Sequence, residues 1–445
     1  MRNCPIRWPV AAFKAAAVAL AACVGIAALP ACSSQSSDVD QSATQPTADA
    51  TAVHEDIGRP AAVQAVQPAD LRAELEQLLG QHAILTVRLT RARLRTDGDL
   101  AQSADQALGK NTADLGALIG SVAGAEAAEQ FEQLWFGHVT DLFNYARGVA
   151  DEDDAVKAEA SQRLDDYTIE LSQFLETATN KAVSASDLEA ELRKHVEHLL
   201  QQVDAYAEGD YDRAFALERA GYAHMFAVGK VLAAGILTGG GEELPADFDD
   251  PASELQSQLG MLLGEHAELA VDAMRSGFSN SPDFPAAGAA LDENTRQITG
   301  MIESVFGADS ASSFQNLWAD HIDSFVVYTQ ALATDDAALE DTATTELEEF
   351  NTDFAEFLST ATEGRLAAPA LADGFVMHED LLFEQINAYA ERDYSTAHEV
   401  SFDAYKHMFE LAAQAATAIG DTVAARSPKG GAQTGAGGTS EFTRP

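Results

Sequence analysis

Apolar residues recur along most of the chain with the spacing of amphipathic helices. Leu71, Leu75 and Leu78 begin one such stripe, and further stripes follow at intervals of three and four residues. No stretch alternates convincingly between apolar and polar residues, as a half-buried strand would. The pattern therefore predicts an all-α fold, with Asp70 as the cap of the first helix and Asp210 as the cap of the sixth.

Turn residues divide this pattern into two groups of helices. The first half of the chain is predicted to form six helices, which begin near residues 71, 100, 126, 151, 184 and 211. The second half is predicted to form six more, beginning near residues 251, 283, 310, 335, 369 and 393. The two halves thus have the same predicted layout.

The sequence also repeats itself over a long interval. Leu78–Ala83, which reads L-L-G-Q-H-A, recurs as L-L-G-E-H-A at Leu262–Ala267. The motif L-W-x-x-H at Leu134–His138 returns at Leu317–His321, and later matches keep the same spacing. A repeat this long indicates duplicated domains and not a solenoid. We therefore predict two tandem homologous helical bundles of about six helices each.

Composition sets the predicted limits of these bundles. The repeats span 70–237 and 251–420 and are joined by a linker at 238–250, which is rich in Gly, Asp and Pro. The polar segment 32–69 is predicted to be a disordered tether, and the Gly-rich segment 421–445 a disordered tail. Each repeat is long enough to bury its own core, so we expect each to fold alone.

The N-terminus has the features of a targeting signal. Arg2 and Arg7 precede the apolar run Ala11–Leu29, and Cys32 follows it after a small residue. This order predicts a lipoprotein signal peptide at 1–31 and lipidation of Cys32, which would anchor the protein to the extracytoplasmic face of the cell membrane. An ordinary signal peptide or an uncleaved anchor is the alternative.

Charge and missing motifs narrow the possible functions. The net charge of −44 disfavours nucleic acid and anionic lipid surfaces as partners. All three cysteines lie at or before residue 32, so the repeats contain no thiolate ligand and no disulfide. No histidine has the Glu-x-x-His spacing of a di-iron bundle, and no phosphate loop or nucleophile elbow is present. No catalytic residue is predicted, and binding is favoured over enzymatic activity.

The repeat divides the eleven histidines into two classes. Eight of them occupy matched positions, one on each of four helices per repeat, and all eight lie on apolar stripes. These eight are the predicted metal ligands: His82, His138, His195 and His224 in the first repeat, and His266, His321, His378 and His407 in the second. Facing helices of a bundle commonly supply metal ligands, and imidazole suits Cu, Zn, Fe and Ni. One transition-metal site per repeat is therefore predicted, with haem as an alternative. A hydrogen-bonded polar core and an enzyme that uses histidine as acid or base also remain open.

Two further pairs of matched residues accompany the histidines. Asn111 and Asn294 are candidates for groups that support the ligands, although they could equally cap helices. Trp135 and Trp318 precede matched histidines by three residues and so share a helical face with them. They could form the wall of a cofactor site, or they could simply pack in the core.

Five matched motifs carry a resemblance to a known kind of repeat. These motifs are G-x-H-A, L-x-x-N-T, L-W-x-x-H, A-Y-x-x-x-D-Y and H-M-F, and the resemblance that they carry covers Leu71–Leu237 and Leu255–Ile419. Together they resemble a helical repeat of exported bacterial proteins that are sometimes labelled after the N-terminal domain of copper amine oxidases. The resemblance implies no established activity, and the chain has no amine oxidase catalytic domain. It does lead us to prefer copper over zinc.

The sequence as a whole favours a lipid-anchored binding protein of the cell envelope. Such a protein would sequester or handle a metal ion through one histidine-rich site in each repeat. The alternative is a structural or interaction lipoprotein, whose histidines only form hydrogen bonds in the core and whose acidic surface meets another envelope protein.

Overall fold

The computed structural model describes residues 68–239 and 241–426, and these residues form twelve helices without a strand. The first repeat contains α1 (Pro68–Leu94), α2 (Gly98–Ala123), α3 (Ala125–Ala150), α4 (Asp154–Ala178), α5 (Ala185–Ala207) and α6 (Tyr211–Thr238). The second contains α7 (Pro251–Phe278), α8 (Phe284–Phe306), α9 (Ala308–Thr334), α10 (Ala337–Ala361), α11 (Ala368–Ala390) and α12 (Tyr394–Arg426). The predicted all-α fold is confirmed. The predicted signal peptide, Cys32 and most of the predicted tether lie outside the described residues, as does most of the predicted tail.

The predicted helix starts agree with the structure to within a few residues. The cap of the first helix and the end of the last helix differ from the prediction. Helix α1 begins at Pro68, so the prediction that Asp70 caps it was wrong, and Asp70 lies in the first turn. Proline suits that turn because its missing N–H would have no partner there, and an acidic residue there favours the helix dipole. Asp210 does cap α6, by accepting from the Arg213 amide. Helix α12 continues to Arg426, past the expected end at residue 420.

The first helix of each repeat occupies the centre of its bundle. Helix α1 packs against α2, α3, α5 and α6, and α7 packs in the same way against α8, α9, α11 and α12. The apolar stripe of α1 explains this position, because Leu71, Leu75 and Leu79 are almost fully buried in one core with Phe131 and Leu171. A side chain on the inner face of α1 or α7 can therefore meet several neighbouring helices at once.

The two repeats belong to one compact unit and pack against each other through equivalent residues. The Tyr222 and Tyr405 hydroxyls, matched in the repeat, lie 3.2 Å apart, and the matched rings of Phe226 and Phe409 stack. A Cβ atom at Gly80 would lie 2.7 Å from the Phe226 ring, so only glycine permits this close packing. Equivalent residues that contact each other are typical of an interface with approximate twofold symmetry.

Buried ion pairs add to this interface. Arg88 of α1 binds Asp272 of α7 at 2.9 Å, and the same carboxylate lies 3.3 Å from Arg91. Arg91 also binds Glu218 of α6 at 2.7 Å. Burial raises the pKa of Glu218 to about 7, although Arg91 acts in the opposite direction. These charges depend on one another, since removing one partner would leave the other buried and uncompensated.

Two apolar segments are explained by burial. Among the described residues, α6 is the one helix long and apolar enough to cross a membrane, but 56% of its most apolar window is buried, where it packs on α1 and α5. In the predicted linker, Phe248 is 1% exposed and its carbonyl accepts a hydrogen bond from Arg72. Part of the linker therefore belongs to the core of the first repeat.

Candidate metal centres

Three histidines meet at the centre of the first repeat. They come from three different helices: His82 from α1, His138 from α3 and His195 from α5, and none is more than 1% exposed. The Nε2 atoms of His82 and His138 lie 3.0 Å apart. One ring nitrogen from each of the three lies within 4.8 Å of the other two. We call this group the inner triad of the first repeat.

Aromatic rings enclose this triad. The Trp135 ring lies 4.6 Å from that of His82 and 4.8 Å from that of His138. The Tyr167 ring stacks on His138, with centres 4.4 Å apart and planes 12° apart. Trp135 therefore lies against the candidate site, in the position that a wall of a cofactor site would occupy. This was one of the two roles predicted for it, the other being packing in the core. Tyr167 was not predicted to contact the histidines, because a single tyrosine on an apolar stripe cannot be distinguished from other core residues in the sequence.

Most nitrogens of the inner triad lack hydrogen-bond partners. The Nδ1 atoms of His82 and His138 and both ring nitrogens of His195 are buried without a hydrogen bond of normal geometry, which is four of six, although the Trp135 backbone is close enough to act to raise the pKa of His138. The Trp135 indole N–H and the Tyr167 hydroxyl, both beside the triad, are also unpartnered. A buried polar group without a partner costs roughly 1–3 kcal/mol. The cluster therefore has unused capacity to coordinate a ligand.

Burial keeps these imidazoles neutral. It lowers the pKa of His138 to about 3 and the pKa values of His82 and His195 well below their ordinary value of 6.5. The neighbouring histidines add to this effect on His82 and His195, because two positive charges so close together would repel. Neutral imidazole is the form that binds metals, so the triad is in the coordinating state at neutral pH.

The second repeat contains the three equivalent histidines in a wider arrangement, in which one nitrogen from each no longer lies within 4.8 Å of the other two. Its inner triad is His266 from α7, His321 from α9 and His378 from α11, and the Nε2 atoms of the first two lie 3.4 Å apart. The ring centres of His266 lie 5.4 Å from His321 and 6.2 Å from His378, against 5.0 and 5.8 Å in the first repeat. The same four nitrogens are unpartnered. Burial lowers the pKa values of His321 and His378 to about 3.

The fourth matched histidine of each repeat lies outside its triad. The Nε2 atom of His224 donates to the Glu191 carbonyl at 3.0 Å, and that of His407 donates to the Gly374 carbonyl at 2.9 Å. Each therefore ties the last helix of its repeat to the helix before it. The structure therefore brings together three of the four predicted ligands in each repeat. The fourth was predicted with them because an apolar stripe shows which face of a helix is buried, but it does not show in which direction a ring on that face points.

The two matched asparagines lie beside the triads and not at helix caps. Asn111 donates to the Leu78 carbonyl at 2.9 Å and to Gln81, while Asn294 donates to the Leu262 carbonyl at 2.9 Å and to Glu265. The Oδ1 atoms of both asparagines are buried without a hydrogen bond of normal geometry. The Asn294 side chain also acts to raise the pKa of His266, although burial lowers it far more. Asn294 therefore lies next to the triad histidine of its central helix, and Asn111 contacts Gln81, the residue that precedes His82.

Two unmatched histidines have separate surroundings. His198 of α5 lies next to His224, with ring centres 5.7 Å apart. His398 of α12 pairs with Ser103 of α2 at 3.0 Å, across the interface between the repeats. His198 could have been suspected from the spacing His195-x-x-His198, but its missing counterpart in the second repeat argued against it.

Comparisons with protein-family models, curated proteins and solved structures found no match. The resemblance to the repeat named after copper amine oxidases therefore rests on the sequence motifs alone. A function for the triads has to come from their own geometry and chemistry.

Proposed function

We propose that this protein binds one transition-metal ion in the inner triad of each repeat and serves to sequester or hand on that ion. The observation that carries the proposal is the pair of buried Nε2 atoms of His82 and His138, 3.0 Å apart, with His195 beside them and no hydrogen-bond partner for either of its nitrogens. With the predicted lipid anchor at Cys32, the ion would be held at the extracytoplasmic face of the membrane.

The spacing of the nitrogens supports a common ion. Two imidazoles that bind one metal tetrahedrally, at about 2 Å each, have nitrogens roughly 3.3 Å apart. The distances of 3.0 Å between His82 and His138 and 3.4 Å between His266 and His321 lie on either side of that value. A third imidazole in each repeat completes a three-nitrogen set, which leaves a fourth position for water or another small ligand.

Copper is the preferred ion. A site made only of neutral imidazoles suits both copper and zinc, and such sites generally bind Cu²⁺ more tightly than Zn²⁺. Haem fits less well, because bis-imidazole ligation would need nitrogens about 4 Å apart across the iron, twice a metal–nitrogen bond. Trp135 also packs against both His82 and His138, where the flat ring system would have to enter.

The surroundings of each triad would support the bound ion. A histidine that ligates through Nε2 usually donates its Nδ1–H to an oxygen, which fixes the ring. The unpartnered Oδ1 atoms of Asn111 and Asn294 are the acceptors that we propose for His82 and His266. Trp135 and Trp318, whose rings contact the triads, would keep water away from the site.

The competing proposal is a structural or interaction lipoprotein with a polar core. It predicts that each buried histidine forms hydrogen bonds with its neighbours, as the Nε2 atoms of His224 and His407 do with the carbonyls they contact. His195 and His378 differ from these two histidines, because both of their ring nitrogens are buried without a partner, whereas His407 lacks a partner only at Nδ1. That contrast favours a ligand in the triads.

Elemental analysis of the purified full chain tests the proposal. After loading with Cu²⁺ and gel filtration, the protein should retain two tightly held ions. His82→Ala should remove one, His266→Ala should remove the other, and the double variant should retain neither. His398→Asn, which changes a buried histidine outside both triads, is the control and should retain two. If the triad variants retain as many copper ions as the unmodified chain, the structural alternative is favoured.

A further inference from the structure

In the first repeat the histidines continue outward from the triad. The ring centre of His195 lies 5.8 Å from that of His82, and His198 and His224 are both close enough to His195 to contribute to lowering its pKa. His198 is one turn further along α5 and is partly exposed, whereas His195 is buried. Five imidazoles therefore form a series that leads from the core to the surface.

The outer two imidazoles are arranged as a pair of ligands. Because His224 donates its Nε2–H to the Glu191 carbonyl, its neutral ring carries the lone pair on Nδ1. This backbone hydrogen bond is the usual way in which a ligating histidine is held. The Nδ1 of His198 is buried without a partner. The ring centres lie 5.7 Å apart, close to the roughly 5 Å expected for two imidazoles on one tetrahedral ion with bonds of about 2 Å.

A carboxylate marks the exposed side of this pair. The Glu191 Oε2 atom lies 3.6 Å from His224 Nε2, and its side chain is 49% exposed. It cannot ligate through the protonated nitrogen, but its negative charge would attract a cation to the pair. The surface position thus combines attraction by charge with two imidazole ligands.

The second repeat lacks this outer pair. Leu381 stands at the position of His198, and Gly374 stands at the position of Glu191. Only His407 remains, held by the Gly374 carbonyl, with the Glu410 carboxylate 3.8 Å from its Nδ1. The chain therefore contains its own comparison: one triad with an outer pair and one without.

We propose that His198 and His224 form an outer binding position for a transition-metal cation, from which the ion passes through His195 to the inner triad. This inference rests on the proposed function, because the inner triad is the destination of the ion. The transfer is a ligand exchange between neutral imidazoles, in which a bond to the outer pair breaks as one to His195 forms. It needs no electron transfer, and the single lone pair of neutral His195 turns from the outer pair to the inner triad as the ion moves. The same step is not available in the second repeat.

The test uses the full chain with His266→Ala, so that the first repeat holds the one intact triad. Titrated with Cu²⁺ alone, this chain should bind one ion tightly at the triad and one more weakly at the outer pair. Adding His198→Leu, which installs the residue of the second repeat, should remove the weaker ion. It should slow loading of the triad by about tenfold, the usual scale for losing a supporting ligand, without changing its final occupancy. His198→Asn keeps a polar side chain and should behave in the same way.

The reciprocal variant provides a gain of function. In a chain with His82→Ala, Leu381→His should add one weakly bound ion and speed loading of the second triad, whereas Leu381→Ala should do neither. If His198→Leu retains the second ion and loads at the unchanged rate, the outer position is refuted and the triad proposal stands. If no ion is held tightly even with His198 and His224 intact, the triad proposal itself fails and the transfer with it.

Discussion

The two repeats preserve the same three histidines in different surroundings. Tyr167 stacks on the α3 histidine of the first repeat, whereas Phe350 stacks on its counterpart in the second, with ring centres 4.4 and 4.6 Å apart. Gln81, a partner of Asn111, is replaced by Glu265, a partner of Asn294. Duplication and divergence have thus left the triad in place and changed what contacts it. We therefore expect two sites of the same kind with different affinities.

Glu265 also connects the second triad to the first repeat. Its carboxylate accepts two hydrogen bonds from Arg219 of α6, both at 3.0 Å, while it holds Asn294. The first repeat has no equivalent, because Gln81 is neutral and Phe402 stands at the position that matches Arg219. The support of the second triad therefore depends on the interface, and that of the first does not.

The largest expected loss of stability comes from a substitution in the interface between the two repeats. Arg88→Ala would leave Asp272 and Glu268 buried with one cation fewer, so the free energy of unfolding should fall by about 3–5 kcal/mol. Arg93→Ala removes the same residue type from the same helix, but its partner Asp151 is exposed, so the loss should be about 0–1 kcal/mol. Urea unfolding measures both. Equal losses would contradict the role that we assign to the buried pairs.

The expectation that each repeat folds alone stays a prediction. Each half has its own core, but the surface it shares with the other half contains Tyr222, Tyr405 and the buried ion pairs. A separately expressed half would expose these groups to water. If it melts cooperatively, it should do so at a lower temperature than the full chain.

The next effect is a loss of stability in mild acid when no metal is bound. In the folded protein the pKa values of His138, His321 and His378 are near 3, below the ordinary 6.5 that they regain on unfolding. As pH falls from 6.5 towards 3, the unfolded chain therefore takes up protons that the folded chain does not. Each such histidine lowers stability by up to about 1.4 kcal/mol per pH unit in that window.

Two buried carboxylic acids have the opposite effect on stability as pH falls. The contribution of a histidine therefore has to be measured against a variant that lacks it. Burial raises the pKa of Glu379 to about 8 and that of Glu218 to about 7, and their protonation favours the folded state as pH falls. Urea unfolding at pH 7 and pH 5, with a chelator present, should show a smaller acid loss in His138→Gln than in the unmodified chain. An identical pH dependence in the two chains would contradict the neutral, buried state of His138. Added metal should reduce the loss, because it binds the folded chain.

A smaller effect should separate the two sites from each other. Glu265→Gln would weaken the link from Arg219 to Asn294, and we expect the affinity of the second triad for Cu²⁺ to fall by about tenfold. The first triad should be unaffected. Gln81→Glu, the reciprocal change, is the control for charge at this position, since it brings no arginine with it. Competition with a chelator of known affinity measures both sites, and equal weakening of the two would rule out the proposed link.

The smallest expected change in stability comes from substitutions of the aromatic ring that stacks on each triad. Tyr167→Phe removes a buried hydroxyl without a partner, so the metal-free chain should become more stable by about 1 kcal/mol. Phe350 is only partly buried, so Phe350→Tyr should change the stability of the second repeat less. Thermal unfolding of both variants tests this pair. A loss of stability on Tyr167→Phe would show that the hydroxyl has a partner in solution.

The sequence predicted the features that depend on local periodicity and on the internal repeat. The helices follow from the apolar stripes, and the eight matched histidines include the three of the first triad, whose nitrogens lie within 4.8 Å of one another, and their three more widely spaced counterparts. The sequence could not show that His224 and His407 turn towards a backbone carbonyl, because their stripe is as apolar as that of His82. It also gave no sign of the interface, since the contact between Arg88 and Asp272 joins residues far apart along the chain.

The coordination of metal in the loaded protein tests the central claim most directly. X-ray absorption at the copper edge of the full chain, loaded with two ions and freed of weakly held metal, reports the ligands and their distances. We predict three imidazole nitrogens at about 2 Å from each ion, and loss of that signal when His82 and His266 are both replaced by alanine. A shell made mainly of carboxylate oxygens, unchanged by those substitutions, would place the metal on the acidic surface and contradict the proposed triad sites.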